Sequence, residues 1–181
     1  MAVSGHTGEY GTNPNTVSDS QYLGITKWRD GISVSPASLA VYKALYNVGI
    51  SIIGLPLVAS PPANTSVSAN IIYAKRIANL GPGALYALEG PNEPSNFPLA
   101  YNGVSSGSPS TTFVPVAQFQ RDYYAAIKAD STLANVPVWS PTLIGEEPDN
   151  SGLQYLKVPT PLPSGVLMPA GTIFADVANM H

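Results

Sequence analysis

The 181-residue sequence contains no cysteine, few charged side chains and no long hydrophobic run. Without cysteine the chain can form no disulfide, no thiolate metal site and no cysteine nucleophile. Charged residues make up 10% of the chain, against about 25% in a typical globular protein. The net charge of -3 provides no basic surface for nucleic acid or for an anionic membrane. Because no apolar stretch approaches the roughly 20 residues of a membrane-spanning helix, we expect neither partner.

Signatures of several other classes are also missing. The sequence has no Gly-x-Ser-x-Gly elbow, no phosphate loop and no dinucleotide fingerprint, so esterase, nucleotidase and dehydrogenase functions have no support. The first six residues lack the basic and apolar regions of a signal peptide. His6, Glu9 and Asp149 could be assembled into a metal site, but no spacing motif supports one. We therefore expect no metal and no cofactor.

What the chain does contain is ample apolar material for one domain over 1–181. Hydrophobic residues make up 44%, so the 18 Pro and 16 Gly do not indicate disorder. Short apolar segments alternate with helical ones, which predicts an α/β fold with a parallel sheet built from βαβ units. Five strands are predicted, within 25–30, 50–59, 84–89, 136–140 and 172–180. Residues 2–6 are a candidate for a sixth strand.

Serine N-caps mark the first two predicted helices. Ser35 stands before a first-turn proline, and Ser66 or Ser68 caps the second helix. Apolar side chains at helical spacing follow both caps, and they recur in a third helix around 116–129. The polar segment 102–112 is predicted to be a loop, because Ser, Gly and Pro dominate it.

The most informative stretch is Leu88-Glu89-Gly90-Pro91-Asn92-Glu93-Pro94. A short buried strand is stopped by Gly-Pro, and the Asn-Glu pair lies on the loop that follows. Pro94 disfavours the right-handed helical region for Glu93, so we expect a stiff, extended turn at that residue. A carboxyl group at the carboxyl end of a β-strand, beside an amide, occupies the place where a (β/α)₈ barrel keeps its chemistry.

With a strand before it and a loop after it, the run Asn92-Glu93-Pro94 resembles the Asn-Glu-Pro signature of clan A glycoside hydrolases, the TIM-barrel, cellulase-like glycosidases. The resemblance covers 10–181, in the order strand two to strand six. It implies a partial (β/α)₈ TIM barrel of about five to six parallel strands with flanking helices. It also implies action on the O-glycosidic bonds of a β-linked glycan. Glu93 would be the general acid/base, and Asn92 would bind the sugar 2-hydroxyl.

The same resemblance implies a role for an arginine on the second predicted strand. Arg29 would hold the carboxylate of the nucleophile by a charged hydrogen bond and keep it ionised. The alternative is that Arg29 pairs with Asp30 or Glu89 and serves the fold alone. Glu89 itself is expected to belong to the strand end and to support the site.

Three further residues are candidates for binding the substrate. His181 matches a family histidine on strand six that lines the sugar pocket, and His6 matches one found after strand one. Trp139, on the fifth strand, could stack against a sugar ring, because the apolar face of a pyranose suits an aromatic plane. The alternative for Trp139 is an ordinary place in the core.

One departure from the family affects catalysis: the matched region stops before strand seven, whose glutamate is the family's nucleophile. A full barrel typically needs about 250 residues. Glu146 and Glu147 are the candidate second carboxylates, either as a base at the wider inverting separation of about 6.5–9.5 Å or merely as solvated turn residues. A rival hypothesis is a catalytically inactive carbohydrate-binding or structural fragment, and another is an unrelated α/β protein. We expect little hydrolysis from this chain alone.

Partners and location follow from the same considerations. A carbohydrate is the expected substrate. A partial barrel leaves two strand edges with unpaired backbone groups, so we expect a homodimer or another form of self-association. Low charge with abundant Ser, Thr, Asn, Pro and Gly is typical of an exported polysaccharide-acting protein, although the sequence does not assign a location.

Overall fold

The computed structural model of the protein describes residues 1–5, 14–33, 35–94, 96–106, 114–142 and 172–179. These ranges contain strands and helices in alternation through most of their length. The strands are β1 Ala2–Ser4, β2 Lys27–Gly31, β3 Ser51–Leu55, β4 Leu85–Leu88, β5 Ala100–Tyr101 and β6 Val104–Ser105. The helices are α1 Thr16–Tyr22, α2 Pro36–Asn47, α3 Val67–Ala78 and α4 Val114–Ala129.

The first four strands form a parallel sheet in the order β1-β2-β3-β4. Single parallel bridges continue this order, from Leu88 to Val138 and from Trp139 to Val177. The segments predicted as the fifth and sixth strands therefore lie beside β4 in sequence order, although bridges replace full strands there. Pro137 lies within the first of these segments and Pro141 directly follows it, and proline has no N–H to add to a ladder. The described residues thus form an α/β structure with a four-stranded parallel sheet.

The helix caps agree with the sequence, while one strand is shorter than expected. Ser35 Oγ accepts a hydrogen bond from Ser38 N, and Ser66 Oγ accepts one from Ala69 N. The strand predicted over 50–59 ends at Leu55, because the next residue is a proline without a ladder donor.

Two elements are missing from the sequence-based predictions. The first is α1, a short polar helix. The second is the hairpin of β5 and β6. It contradicts the first part of the loop predicted over 102–112, of which the structure describes residues 102–106. Its turn residues Asn102 and Gly103 have φ of 51° and 77°. Asn-Gly is a strong hairpin signal because both positions of this tight turn need positive φ.

The core packs between the helices and one face of the sheet. Tyr42 of α2 has no exposed surface, and its hydroxyl donates to Asp30 Oδ2 at 3.1 Å and to Gly31 O at 3.0 Å. Asp30 therefore faces the helices. Because side chains alternate along a strand, Lys27 and Arg29 project from the opposite face of β2. That opposite face carries the candidate site.

The described segment 172–179 is fastened to the rest of the structure by Asp176. Its carboxylate accepts from Val138 N at 2.8 Å, Lys128 Nζ at 2.7 Å and Tyr124 Oη at 3.1 Å. Desolvation alone would raise the pKa of Asp176, but these donors hold that pKa below its usual range. Among the helices of the described ranges, none is long and apolar enough to cross a membrane.

Candidate functional site

A charged network lies where β2 and β4 approach their carboxyl ends. Arg29 of β2 contacts Glu89, which directly follows β4. Its Nε is 2.7 Å from Glu89 Oε2, and its Nη2 is 2.5 Å from Glu89 Oε1. The Glu89 side chain has no exposed surface and that of Arg29 is 17% exposed. The planar guanidinium thus binds both carboxylate oxygens of a desolvated partner, and removing either residue would leave a poorly solvated charge.

The same guanidinium fixes an amide of the Asn-Glu-Pro run. Arg29 Nη2 donates to Asn92 Oδ1 at 2.6 Å. Thr142 Oγ1 lies 3.1 Å from both Asn92 Oδ1 and Glu89 Oε1. Because an arginine offers only donors, the oxygen of the Asn92 amide must face it. The amide nitrogen is therefore directed away from Arg29 and is the group that can donate to a ligand.

Glu93 follows this network on a strained turn. The predicted extended conformation was wrong, because Glu93 has a φ of 47° in the left-handed region. Such a conformation costs about 1–3 kcal/mol for a residue other than glycine. Glu93 N donates to Thr142 O at 2.7 Å, and Glu93 O accepts from Asn96 N and Phe97 N, each at 2.8 Å. Pro94 does keep Glu93 out of the right-handed helical region, but these three bonds select a tight turn rather than an extended one.

A cavity of about 490 Å³ opens beside Asn92. Its volume lies within the roughly 300–1,000 Å³ of typical small-molecule sites. The walls come from the segments after β3 and after β4, namely Pro56, Val58, Ser60, Asn92, Asn96, Phe97 and Pro98. Phe97 is 57% exposed. Apolar walls, one exposed aromatic ring and amide and hydroxyl groups suit a neutral ligand that combines an apolar face with hydroxyl groups.

The structure brings together three of the residues that the sequence singled out. Arg29 and Asn92 share a hydrogen bond and Glu93 adjoins them, so all three lie at one end of the sheet. Arg29 also pairs with Glu89, which is one of the two partners named in the alternative that gives Arg29 a role in the fold alone. Trp139 is half-buried, and its ring is perpendicular to the Tyr86 ring at a centroid distance of 6.4 Å.

The remaining predicted site residues, His6, His181, Glu146 and Glu147, lie outside the described residues. The same is true of Glu9 and Asp149, the other members of the metal site considered above. Within the described ranges, no three or more His, Asp or Glu side chains are grouped so that they could hold a metal ion.

Sequence reasoning missed Thr142 and Phe97. Thr142 gave no local signal, because its partners lie some fifty residues away in the chain. Phe97 did give one: it stands among polar and turn-forming residues four positions after Glu93, where no apolar periodicity places it in a core.

Comparisons with known proteins were informative for the fold. No protein-family model and no curated protein matches this chain. Among solved structures, it is similar to a family 39 glycoside hydrolase from the gut symbiont Bacteroides cellulosilyticus WH2, with a TM-score of 0.52 and 16% sequence identity. The match covers 84% of this chain and 34% of that protein, so the chain spans about a third of its length. At this identity the likeness shows a common fold.

Proposed function

We propose that this chain forms part of a glycoside hydrolase barrel of the (β/α)₈ type and clan A, acting on the O-glycosidic bonds of a β-linked glycan. The observation that carries the proposal is the network of Arg29, Glu89 and Asn92, which lies immediately before Glu93 and beside a cavity with an exposed aromatic wall. Glu93 is the general acid/base that protonates the leaving oxygen. Asn92 donates from its amide nitrogen to a sugar hydroxyl, which is the 2-hydroxyl by the resemblance to clan A glycoside hydrolases.

The order of parallel segments supports the barrel part of the proposal. Six segments follow one another side by side, from β1 through β4 to the bridges at Val138 and Val177. A sheet that grows in sequence order with helical crossovers is the arrangement expected of the first part of a (β/α)₈ barrel. The solved structure with the similar fold is itself a glycoside hydrolase, which adds support by analogy.

The cavity supports a neutral sugar as the ligand. Phe97 offers an exposed aromatic face against which a pyranose can stack. Asn92, Asn96 and Ser60 supply amide and hydroxyl groups for the ring hydroxyls. Trp139, His6 and His181 remain proposed contacts to the substrate.

The proposed mechanism also requires a second carboxylate besides Glu93. A retaining glycosidase needs two carboxyl groups about 5 Å apart. Glu89 is unsuited as the nucleophile, because Arg29 binds both of its oxygens and it has no exposed surface. In the proposal this group is Glu146 or Glu147.

Because Arg29 binds both oxygens of Glu89, that carboxylate is not available for catalysis. This favours a second candidate function, namely carbohydrate binding without hydrolysis. Glu89 is held by Arg29, and Glu93 is the carboxylate that follows the network on the next loop. A binding role would use Asn92, Asn96 and Phe97 and would need no nucleophile. We keep this function as the alternative.

A hydrolysis assay with phenyl and 2,4-dinitrophenyl β-glycosides tests the proposal. Little turnover is expected of the chain alone, and Glu93→Gln should lower the remaining turnover of the phenyl glycoside by about 10²–10⁴-fold. The dinitrophenyl substrate should suffer less, because its leaving group departs without a proton. Asp19→Asn, which removes an exposed carboxylate on α1, is the matched control and should change neither rate.

The outcomes separate the candidate functions. Turnover that survives Glu93→Gln on both substrates would refute the acid/base role. Loss on Glu146→Gln or Glu147→Gln would identify the second carboxylate. Saccharide binding in a titration without any turnover would favour the second candidate, and neither binding nor turnover would reject both.

Self-association stays a proposal as well. The strand β1 is an edge of the described sheet, and Tyr86 and Val177 remain 47% and 44% exposed. Pairing of two chains at such an edge would satisfy backbone groups and cover apolar side chains. Light scattering at low micromolar concentration gives the test, and a stable, well-folded monomer would contradict the proposal.

A further inference from the structure

We propose that Thr142 is a positioning residue, which holds the amide of Asn92 in its ligand-binding orientation next to Glu93. The inference rests on the proposed function, because it takes the ligand of that amide to be a sugar hydroxyl. Thr142 is 1% exposed and is not among the residues that line the cavity. Its effect on a ligand must therefore pass through Asn92 and Glu93.

The main chain of Thr142 ties down the loop that carries both residues. Thr142 pairs with Asn92 as an isolated parallel bridge beyond the end of β4. Thr142 O accepts from Glu93 N at 2.7 Å, and Thr142 N donates to Pro91 O at 3.3 Å. These two bonds bracket Asn92 on both sides. The position of the Asn92 backbone relative to Glu93 is thus set by one residue of a neighbouring segment.

The side chain of Thr142 acts on the amide itself. Its Oγ1 lies 3.1 Å from Asn92 Oδ1 and 3.1 Å from Glu89 Oε1. The other donor to Asn92 Oδ1 is Arg29 Nη2, which is shared with Glu89. The terminal torsion of an asparagine is broad, so a single shared donor constrains it weakly. The single hydroxyl proton of Thr142 is within reach of Asn92 Oδ1 and of Glu89 Oε1, so the two oxygens share it. This second, shared donor narrows the rotation further and keeps the amide nitrogen directed at the ligand.

Two substitutions separate this role from a purely structural one. Thr142→Val keeps the β-branched shape and the backbone bonds but removes the hydroxyl. Thr142→Ser keeps the hydroxyl and is the matched control. Near-ultraviolet circular dichroism of each variant establishes that the fold is retained, and Thr142→Ser supplies the comparison if the valine variant folds poorly.

The first readout is the discrimination between a sugar that carries a 2-hydroxyl and one that lacks it. Methyl β-D-glucoside and its 2-deoxy analogue are titrated against each variant and followed by NMR. The wild type should prefer the 2-hydroxy ligand. Thr142→Val should reduce that preference by about 10-fold, the value of one hydrogen bond, while the affinity for the deoxy ligand stays unchanged. Thr142→Ser should keep the preference.

The second readout needs no ligand. The side-chain NH₂ resonances of Asn92 are assigned by their loss in Asn92→Asp. In Thr142→Val they should move toward the positions of a freely rotating amide, and in Thr142→Ser they should stay in place.

The outcomes also separate this inference from the proposed function. Unchanged Asn92 resonances in Thr142→Val, or an equal loss of affinity for both sugars, would overturn the positioning role. If the wild type binds neither glycoside, the proposed function fails, and the NH₂ resonances still decide whether Thr142 orients the amide.

Discussion

Lys27 and Arg29 are two cations on the same face of β2, and they meet very different surroundings. Lys27 Nζ lies 4.5 Å from the centroid of the Tyr86 ring, and Tyr86 is 47% exposed. Arg29 binds Glu89, which has no exposed surface. One cation therefore rests on a ring at the surface, while the other is fixed by a desolvated carboxylate.

The difference shows that the partner and its burial, rather than the cation or its strand, create the candidate site. A cation over an exposed ring contributes about 0.5–1 kcal/mol. Breaking a buried ion pair by removing one member costs about 3–5 kcal/mol, because the other charge remains without compensation. Arginine also suits its place, since its planar fork can serve a carboxylate and an amide at once, whereas lysine offers a point charge.

The largest expected effect is that of Glu89→Gln. This change leaves Arg29 without its counter-charge and should lower the free energy of unfolding by about 3 kcal/mol. Urea denaturation followed by circular dichroism measures the loss. Asp19→Asn, at an exposed carboxylate, should stay within about 0.5 kcal/mol. A loss of less than about 1 kcal/mol for Glu89→Gln would mean that solvent reaches the pair and that the two cations differ less than the geometry indicates.

The second effect concerns the close packing next to the buried pair. A Cβ at Gly90 would lie 2.4 Å from Gln120 Oε1 and 2.7 Å from the backbone nitrogen of Pro141. Gly90→Ala should therefore cost about 2 kcal/mol in unfolding free energy, since the backbone neighbour has little room to move. Gly31→Ala is the matched control, because its Cβ would meet nothing closer than 3.7 Å. Equal losses in the two variants would contradict this explanation.

A smaller effect is expected at the exposed ion pair of Asp176, and it depends on pH. The pKa of Asp176 is lowered in the fold, so the unfolded chain binds its proton more tightly. The stabilisation is fully present above the ordinary carboxyl pKa of 3.8 and is lost as the pH falls through the lower folded-state value. The wild type should exceed Asp176→Asn by about 1 kcal/mol at most near neutral pH. Urea titrations across the acid range should show that difference vanish, and a difference that grows toward low pH would contradict it.

The smallest effect is expected at Lys27, the cation that lies over an exposed ring. Lys27→Met removes the cation over Tyr86 and should cost about 0.5 kcal/mol. Arg29→Met, measured by the same urea titration, should cost several times more, because it leaves the buried carboxylate of Glu89 without its counter-charge. If the two methionine variants were equally stable, burial of the partner would not be what distinguishes the two cations.

Structural features that depend only on residues close together in the chain, such as helix caps, could be predicted from the sequence. The Ser35 and Ser66 caps depend on a side chain and an N–H three positions away, and both are present as expected. The parallel order of the sheet followed from alternating apolar segments. The Asn102-Gly103 turn is also a local feature, because its positive φ is a property of those two residues, although the predicted loop did not include a hairpin.

Only the tertiary structure decided which polar groups meet. Arg29 and Glu89 are 60 positions apart, and Thr142 is 50 positions from Asn92. The sequence named Asp30 and Glu89 as possible partners for Arg29. Asp30 is its neighbour on the strand and therefore points to the other face, but only the fold brings Glu89, 60 positions away, within reach. Even the conformation of Glu93 was decided from a distance. Pro94 excluded one backbone region, but the carbonyl of Thr142 and the N–H groups of Asn96 and Phe97 selected the left-handed one. Local chemistry limits the conformations that each residue can adopt, and the packing of distant segments selects among them.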